Sequence, residues 1–383
     1  MAPADMDTQR AMRILLITTG LKVGGAEHQV VALARAFLAL GHAVAILSLS
    51  PGREIDIPAG VEVFELNMRK TPGGMASALA QARTLVRKWR PDVMHAHMVH
   101  ANLFGRLLTR LVDSPPLVCT AHSFREGGTM RMLAYRLTDR WAALTTHVSQ
   151  DGRIGMIAAG AVPDDRIVVV PNGIDVERFR PDPALRDATR ARLGLAPDTR
   201  MILNVGRLAP EKAQDLLIRA FGQLSPAAPA RLMIAGGGAL TEALARQIAT
   251  QRLTSSVTLL GPRDDIPALL NAADLFVLSS NIEGLPMVLV EALACGCPVV
   301  STDAPGVAEV LRDQGVIVPR GDAAALAGAM AEALRAGRGT PAQAAARRER
   351  VLSAFSIDSI ARRWLAHYTS LTHGARVIPA ETA

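Results

Sequence analysis

Residues 279–309 read SSNIEGLPMVLVEALACGCPVVSTDAPGVAE. The stretch follows an apolar run, LFVL at 275–278, whose length and boundaries suit a buried strand. A Gly-Leu-Pro turn then leads into an apolar helical segment over 286–294, a Gly-Cys-Pro stop, and a second apolar strand around Val299. Pro286 fits the first helical position, and Gly296 fits the left-handed residue just past the helix end. The anomaly is Glu291, an acid amid Met287, Val288, Leu289, Val290 and Leu293. A carboxylate there must be solvated, paired or functional, because burying it alone is costly. Glu283 lies eight positions earlier, in the turn, near a helix start whose backbone N–H groups converge on anions.

This arrangement makes a chemical prediction. The helix start holds a phosphate, Glu283 reaches a hydroxylated group beside it, and Glu291 accepts two hydrogen bonds from a ribose, as acids do in dinucleotide folds. An isolated helical Glu is most often merely solvated. The surrounding pattern, E-G-L-P-x4-E-A-x-A-x-G-x-P-V-V, argues otherwise. It resembles the signature of retaining nucleotide-sugar glycosyltransferases with the GT-B fold (glycosyltransferase family 4, group 1 type). The resemblance implies an α/β protein of two doubly wound Rossmann-like lobes with the active site between them. It also implies that Gly284, Leu285, Met287, Val288 and Leu289 border the donor.

A chain of 383 residues is too long for one ordinary core. With 49% hydrophobic and 20% charged residues it has a globular composition with ample apolar material. The first residues carry acids and no apolar h-region, and no apolar run reaches the length of a spanning helix. A cytoplasmic protein is therefore expected. Three cysteines, Cys119, Cys295 and Cys297, fit neither a disulfide framework nor a zinc site and read as small buried residues.

The net charge of +7 admits nucleic acid, anionic membrane or phosphorylated ligands. Aromatics at 3% and the lack of a nucleic-acid module argue against the first. Arginines at 83, 87, 90, 106, 110, 125, 131, 136 and 140 suit a solvated face, with a basic surface resting on anionic lipid as the sharper alternative.

Along the chain, strands are expected at 13–19, 43–49, 61–66, 92–97, 117–122, 145–149 and 167–170, with helices at 30–40, 75–89 and 101–110. Strands alternating with helices imply a parallel doubly wound sheet, whose ligands bind beyond the strands' carboxyl ends. The first strand runs into a loop with Gly24 and Gly25, where bare backbone approaches a phosphate. His95 and His97 share a strand face, with His100 beyond. His-x-His alone suggests zinc weakly, and hydrogen-bonded strand-end residues are the better reading. By resemblance, His122 faces the donor sugar as a hydrogen-bond donor.

A boundary follows PNGID. The N-terminal lobe, on the acceptor side, takes 1–176, and the donor-side lobe takes 177–355. The latter opens with a linker and short helix over 178–200. Its strands are expected at 201–205, 231–235, 257–260, 275–278, 298–301 and 316–318. The first ends in Gly206-Arg207, with Lys212 five residues on, two cations suited to a diphosphate. Ala213 stands where similar proteins often carry Gly. By resemblance Arg263 borders the base. Residues 356–383 begin with a helix carrying Ile360, Trp364 and Leu365 at helical spacing, which in similar proteins crosses back to the N-terminal lobe.

The resemblance implies a hexosyltransferase using a nucleoside-diphosphate sugar, by family frequency a UDP-sugar. The acceptor would be a saccharide or lipid-linked glycan, on a membrane face. Arg207 and Lys212 would stabilise the departing diphosphate, Glu283 and His122 would orient the sugar, and Glu291 would hold the ribose. Metal-dependent enzymes place Asp-x-Asp at a strand end. Here Asp5-x-Asp7 falls in the N-terminal tail, so no metal and no other cofactor is expected. The alternatives are a sugar-nucleotide epimerase of the same architecture and a non-catalytic sugar-nucleotide-binding scaffold.

Overall fold

A computed structural model describes residues 10–22, 24–113, 115–123, 127–224 and 229–374. Two compact units divide the chain. The first comprises residues up to Val148, Arg153–Val170 and those from Ile360 onward. The second comprises Ser149–Gly152 and Pro171–Ser359.

In the first unit, β1 (Arg13–Thr18) is followed by α1 (Gly25–Ala39), β2 (Ala43–Ser48), β3 (Glu62–Glu65) and α2 (Pro72–Trp89). Then come β4 (Val93–His97), α3 (Val99–Leu108), β5 (Leu117–Ala121), α4 (Thr129–Thr138), β6 (Leu144–His147), α5 (Gln150–Ala158, of which the first turn to Gly152 counts with the second unit) and β7 (Ile167–Val169). The strands form one parallel sheet in the order β3-β2-β1-β4-β5-β6-β7. Apolar runs such as LLI in β1 are fully buried, as a sheet covered on both faces requires. Thr71 caps α2 by accepting from Gly74 N, with Pro72 in its first turn.

The second unit contains α6 (Pro183–Arg192), β8 (Arg200–Val205), α7 (Gln214–Gly222), β9 (Ala230–Ala235), α8 (Thr241–Thr250) and β10 (Val257–Gly261). It continues with α9 (Ile266–Ala272), β11 (Leu275–Leu278), α10 (Met287–Ala294), β12 (Val299–Thr302), α11 (Val307–Leu311) and β13 (Val316–Val318). Helices α12 (Ala323–Ala336), α13 (Pro341–Phe355) and α14 (Ile357–Thr372) follow. Its parallel sheet has the order β10-β9-β8-β11-β12-β13. That is a Rossmann order, and it reverses between β8 and β11. The crevice beyond these two strand ends is where such sheets bind ligands.

Several expectations are corrected. Helix α1 begins at Gly25, five residues before the expected start, because Gly24 in an extended conformation caps it directly. Pro286 is the cap of α10, its ψ of 85° keeping it outside the helix instead of opening it, while Gly296 does take the left-handed conformation, with φ +68°. Arg106 is not solvated. It is fully buried, paired with Asp139 at 3.5 Å and stacked over the Tyr135 ring. The three cysteines are free and buried, and burial pushes the Cys297 thiol up to about 11.

From Ile360 onward α14 belongs with the first unit, where its buried Tyr368 bonds His95 and its Trp364 ring lies 4.4 Å from that imidazole.

Candidate functional site

The loops after β8 and β11 flank the switch point of the second sheet, and they are tied together. Asn281 N donates to Glu211 O at 2.8 Å, and Ser279 Oγ donates to Lys212 O at 3.0 Å. At the centre, Lys212 Nζ lies 2.7 Å from both carboxylate oxygens of Glu283. Ser280 Oγ donates to the same carboxylate at 2.6 Å, and Thr302 holds the Ser280 carbonyl. Glu283 is buried and held by Lys212 and Ser280, so it is a fixed acceptor, while the Lys212 side chain remains 23% exposed.

The EGLP turn enters α10 through Pro286. The N–H groups of Met287 and Val288 have no acceptor among the described residues, as expected at a helix start. Gly306, with φ +77°, packs against the turn so closely that a Cβ would lie 2.7 Å from Gly284 O. Leu285 is buried beneath it. On the other side of the switch point, Gly236 approaches the Gly206 carbonyl, where a Cβ would sit at 2.0 Å. Gln214 Nε2 donates to Arg207 O, fixing the strand exit. The Arg207 side chain itself is 70% exposed and touches Glu211 at 2.5 Å, a contact an anion could replace.

Glu291 follows on α10. Among the described residues its side chain makes no hydrogen bond, and burial pushes its carboxyl up to about 7, opposed by the Arg178 charge. A partly buried acid with unused acceptor capacity is a suitable place for ligand hydroxyls. Arg263 is less available, since Asp265 grips its guanidinium at 2.8 and 2.6 Å and Arg192 shares that carboxylate.

The remaining candidates belong to the first unit. Gly24 precedes α1 and Gly25 opens it, after β1 of that sheet's own switch point. His122 follows β5, and its Nε2 lies 3.0 Å from Nδ1 of buried His97. Burial and the neighbouring His147 push His122 down to about 3, so it is a neutral imidazole. His95 is bonded by Tyr368 Oη at 2.5 Å and Thr120 Oγ1 at 2.6 Å. Among the described residues no group of three or more His, Cys, Asp or Glu is placed to hold a metal ion, and Asp5 and Asp7 lie outside those residues. His97 takes the hydrogen-bonded strand-end place expected of it, whereas nothing in the sequence singles out Ser280, whose role comes from the Glu283 carboxylate it bonds.

Both halves of the chain match known family models. Residues 23–178 match Glycosyltransferase Family 4, and residues 186–350 match Glycosyl transferases group 1. The chain belongs to glycosyltransferase family 4, group 1 type. One relative is the UDP-Gal:alpha-D-GlcNAc-diphosphoundecaprenol alpha-1,3-galactosyltransferase of Escherichia coli, 33% identical over 58% of this chain and 60% of that one. A D-inositol 3-phosphate glycosyltransferase of Thermobispora bispora is 29% identical over 81% of this chain and 82% of its own length. Several other family 4 relatives are matched over only about half of their length.

The solved structure of Anabaena Alr3699/HepE in complex with UDP-glucose aligns over 94% of this family 4 chain and 99% of its own, at a TM-score of 0.79 and 25% identity. Sucrose-phosphate synthase from Thermosynechococcus elongatus, at 20% identity, shares the fold with a TM-score of 0.81 over 95% of this chain and all of its own. The family 4 chain thus has the GT-B architecture. No helix among the described residues is long and apolar enough to cross a membrane.

Proposed function

We propose that this glycosyltransferase moves a sugar, with retention of anomeric configuration, from a UDP-sugar to a saccharide or lipid-linked acceptor in cell-surface glycan or glycolipid synthesis. The observation that carries the reading is the Lys212–Glu283 pair at the switch point, beside the open N-terminus of α10. An anchored cation, an exposed arginine and free backbone N–H groups on adjoining loops suit a diphosphate. UDP as the base carrier draws support from the name of the Escherichia coli relative and from the UDP-glucose complex of the Anabaena protein.

In this reading the bond from the anomeric carbon to the diphosphate breaks, and negative charge grows on the leaving group. Lys212, Arg207 and the N–H groups of Met287 and Val288 stabilise that charge in place, without having to reorganise. The acceptor oxygen bonds to the anomeric carbon on the face the diphosphate left, and its proton passes to a leaving phosphate oxygen. Glu283, held rigid by Lys212 and Ser280, accepts from sugar hydroxyls. Neutral His122 donates to the sugar instead of acting as a base. Glu291 takes the ribose hydroxyls, and Gly24 and Gly25 lie on the acceptor side. We place the work on the cytoplasmic face of a membrane, where a lipid-linked acceptor would be presented.

The test is incubation of the protein with UDP-, GDP- and ADP-sugars, with and without lipid-linked and oligosaccharide acceptors, in EDTA. The reading expects nucleoside diphosphate release that depends on acceptor and gives a product of unchanged anomeric configuration. Conversion of the sugar without nucleotide release would point to an epimerase. Binding without turnover on any acceptor would point to a scaffold.

A further inference from the structure

The short segment that follows β7 and ends in Arg178-Phe179 is tied to α10. Asp175 Oδ1 accepts from Glu177 N at 2.9 Å and from Arg178 N at 3.0 Å, which fixes the turn. Arg348 of α13 donates to Val176 O at 3.0 Å, Phe179 O at 2.9 Å and Ala294 O at 3.2 Å. Ala294 closes α10 three residues beyond Glu291, on the same side of the helix. The Arg178 guanidinium lies over the buried Phe179 ring, 5.3 Å from its centre, and Nη2 donates to Asp264 O at 3.4 Å. The side chain thus joins the loop after β10 to the neighbourhood of the acid on α10, all within the second unit.

Arg178 differs from its neighbours. Arg180, Arg186, Arg190 and Arg192 each pair with a carboxylate, and Asp265 grips Arg263. Among the described residues Arg178 pairs with none, yet its charge is the one that opposes the upward push of burial on the Glu291 carboxyl. The two groups influence each other with no ion pair or hydrogen bond between them. A donor and an acceptor kept apart in this way suit a ligand group that both gives and takes hydrogen bonds. A phosphate would satisfy Arg178 and be repelled by Glu291, and an ammonium would do the reverse. A vicinal diol satisfies both, because each hydroxyl gives one hydrogen and offers lone pairs.

We propose that Arg178 is a nucleotide-binding residue, donating to the ribose hydroxyl oxygens whose hydrogens Glu291 accepts, and that it selects ribose over a deoxy sugar. This rests on the reading that Glu291 holds the ribose, and it supplies the other half of that site. A site built to hydrogen-bond hydroxyls rejects the analogue that lacks them, because its own polar groups are then left unpaired.

The test is calorimetric titration of the full chain with UDP and with 2′,3′-dideoxy-UDP, on wild type, Arg178→Met, Arg178→Lys and Glu291→Gln. Wild type should prefer UDP by at least about tenfold. Arg178→Met keeps an aliphatic stem over Phe179. It should lose roughly tenfold on UDP, the worth of one charged hydrogen bond, and bind the dideoxy analogue as wild type does. Arg178→Lys should recover part of the preference. Equal losses on both nucleotides, or an unchanged preference in Arg178→Met, would overturn the assignment. The two readings fail separately. Preference lost in Glu291→Gln but kept in Arg178→Met removes Arg178 alone, whereas preference kept in full by Glu291→Gln removes the ribose site and the role of Arg178 with it. No UDP binding by wild type, or no preference, also overturns both.

Discussion

Lys212 and Glu283, 71 positions apart, form a two-pronged ion pair with both N–O distances at 2.7 Å across the switch point of the second sheet. The pair sets the position of a cation where a diphosphate would sit. Lys212→Met should weaken UDP binding by roughly 10- to 100-fold, the range for losing one charged hydrogen bond. Glu283→Gln should leave UDP affinity within about threefold but lower turnover on the order of 100-fold by misplacing the sugar. Calorimetry and steady-state rates on the two variants separate these roles. Equal losses of affinity in both would contradict them.

Glu291 sets a pH dependence. Its free carboxyl is raised from 4.5 to about 7 by burial. Ribose hydroxyls donating to it favour the ionised form, so nucleotide binding should release a proton. UDP affinity should therefore rise between pH 6 and pH 8, and Glu291→Gln should flatten the profile while weakening binding. An identical profile in the variant would sink the ribose assignment.

The same shift acts on stability with the opposite benefit. A carboxyl whose folded value is raised contributes stability that is present below 4.5 and lost as pH rises through about 7. The displacement corresponds to at most about 3 kcal/mol. Glu291→Gln should raise Tm at pH 8 and leave it nearly unchanged at pH 4. A lower Tm at pH 8 would mean that the carboxylate is stabilised by its surroundings.

Ala213 sits in the left-handed conformation, φ +46° and ψ +43°, between Lys212 and α7. A left-handed alanine is strained by roughly 1–2 kcal/mol, part of which glycine gives back through its unfolded-chain entropy. Ala213→Gly should stabilise the protein by about 0.5–1 kcal/mol in urea melts. The position explains why a glycine would suit this loop, and the alanine leaves the Lys212 contact intact.

Gly306 is constrained in the other direction. Its φ of +77° and the 2.7 Å approach of any Cβ to Gly284 O leave no room for a methyl group. Gly306→Ala should cost more than about 1 kcal/mol and displace the EGLP turn, so that UDP affinity falls with stability. Wild-type affinity in this variant would show that the turn's position is unimportant to binding.

Much of this was legible locally. The strand at 275–278, the turn, the apolar helix and Gly296 follow from short-range pattern, and so does the acid that breaks it. The pairing of Lys212 with Glu283 and of His97 with His122 was not, because nothing within either segment encodes a partner brought by the sheet's crossover. Arg106 misled for the same reason, since its partner Asp139 and its Tyr135 platform lie about thirty residues on. The start of α1 was misplaced because two glycines read as loop, whereas the first serves as the helix cap.

The most direct test is a thermal-shift panel of UDP, GDP, ADP and their sugar conjugates on wild type and Lys212→Met. A diphosphate at about 100 times its Kd should add roughly 2.7 kcal/mol. The account predicts that UDP and one UDP-sugar raise the Tm of wild type and scarcely move that of the variant. No shift with any nucleotide, or equal shifts in both proteins, would contradict a diphosphate site at Lys212.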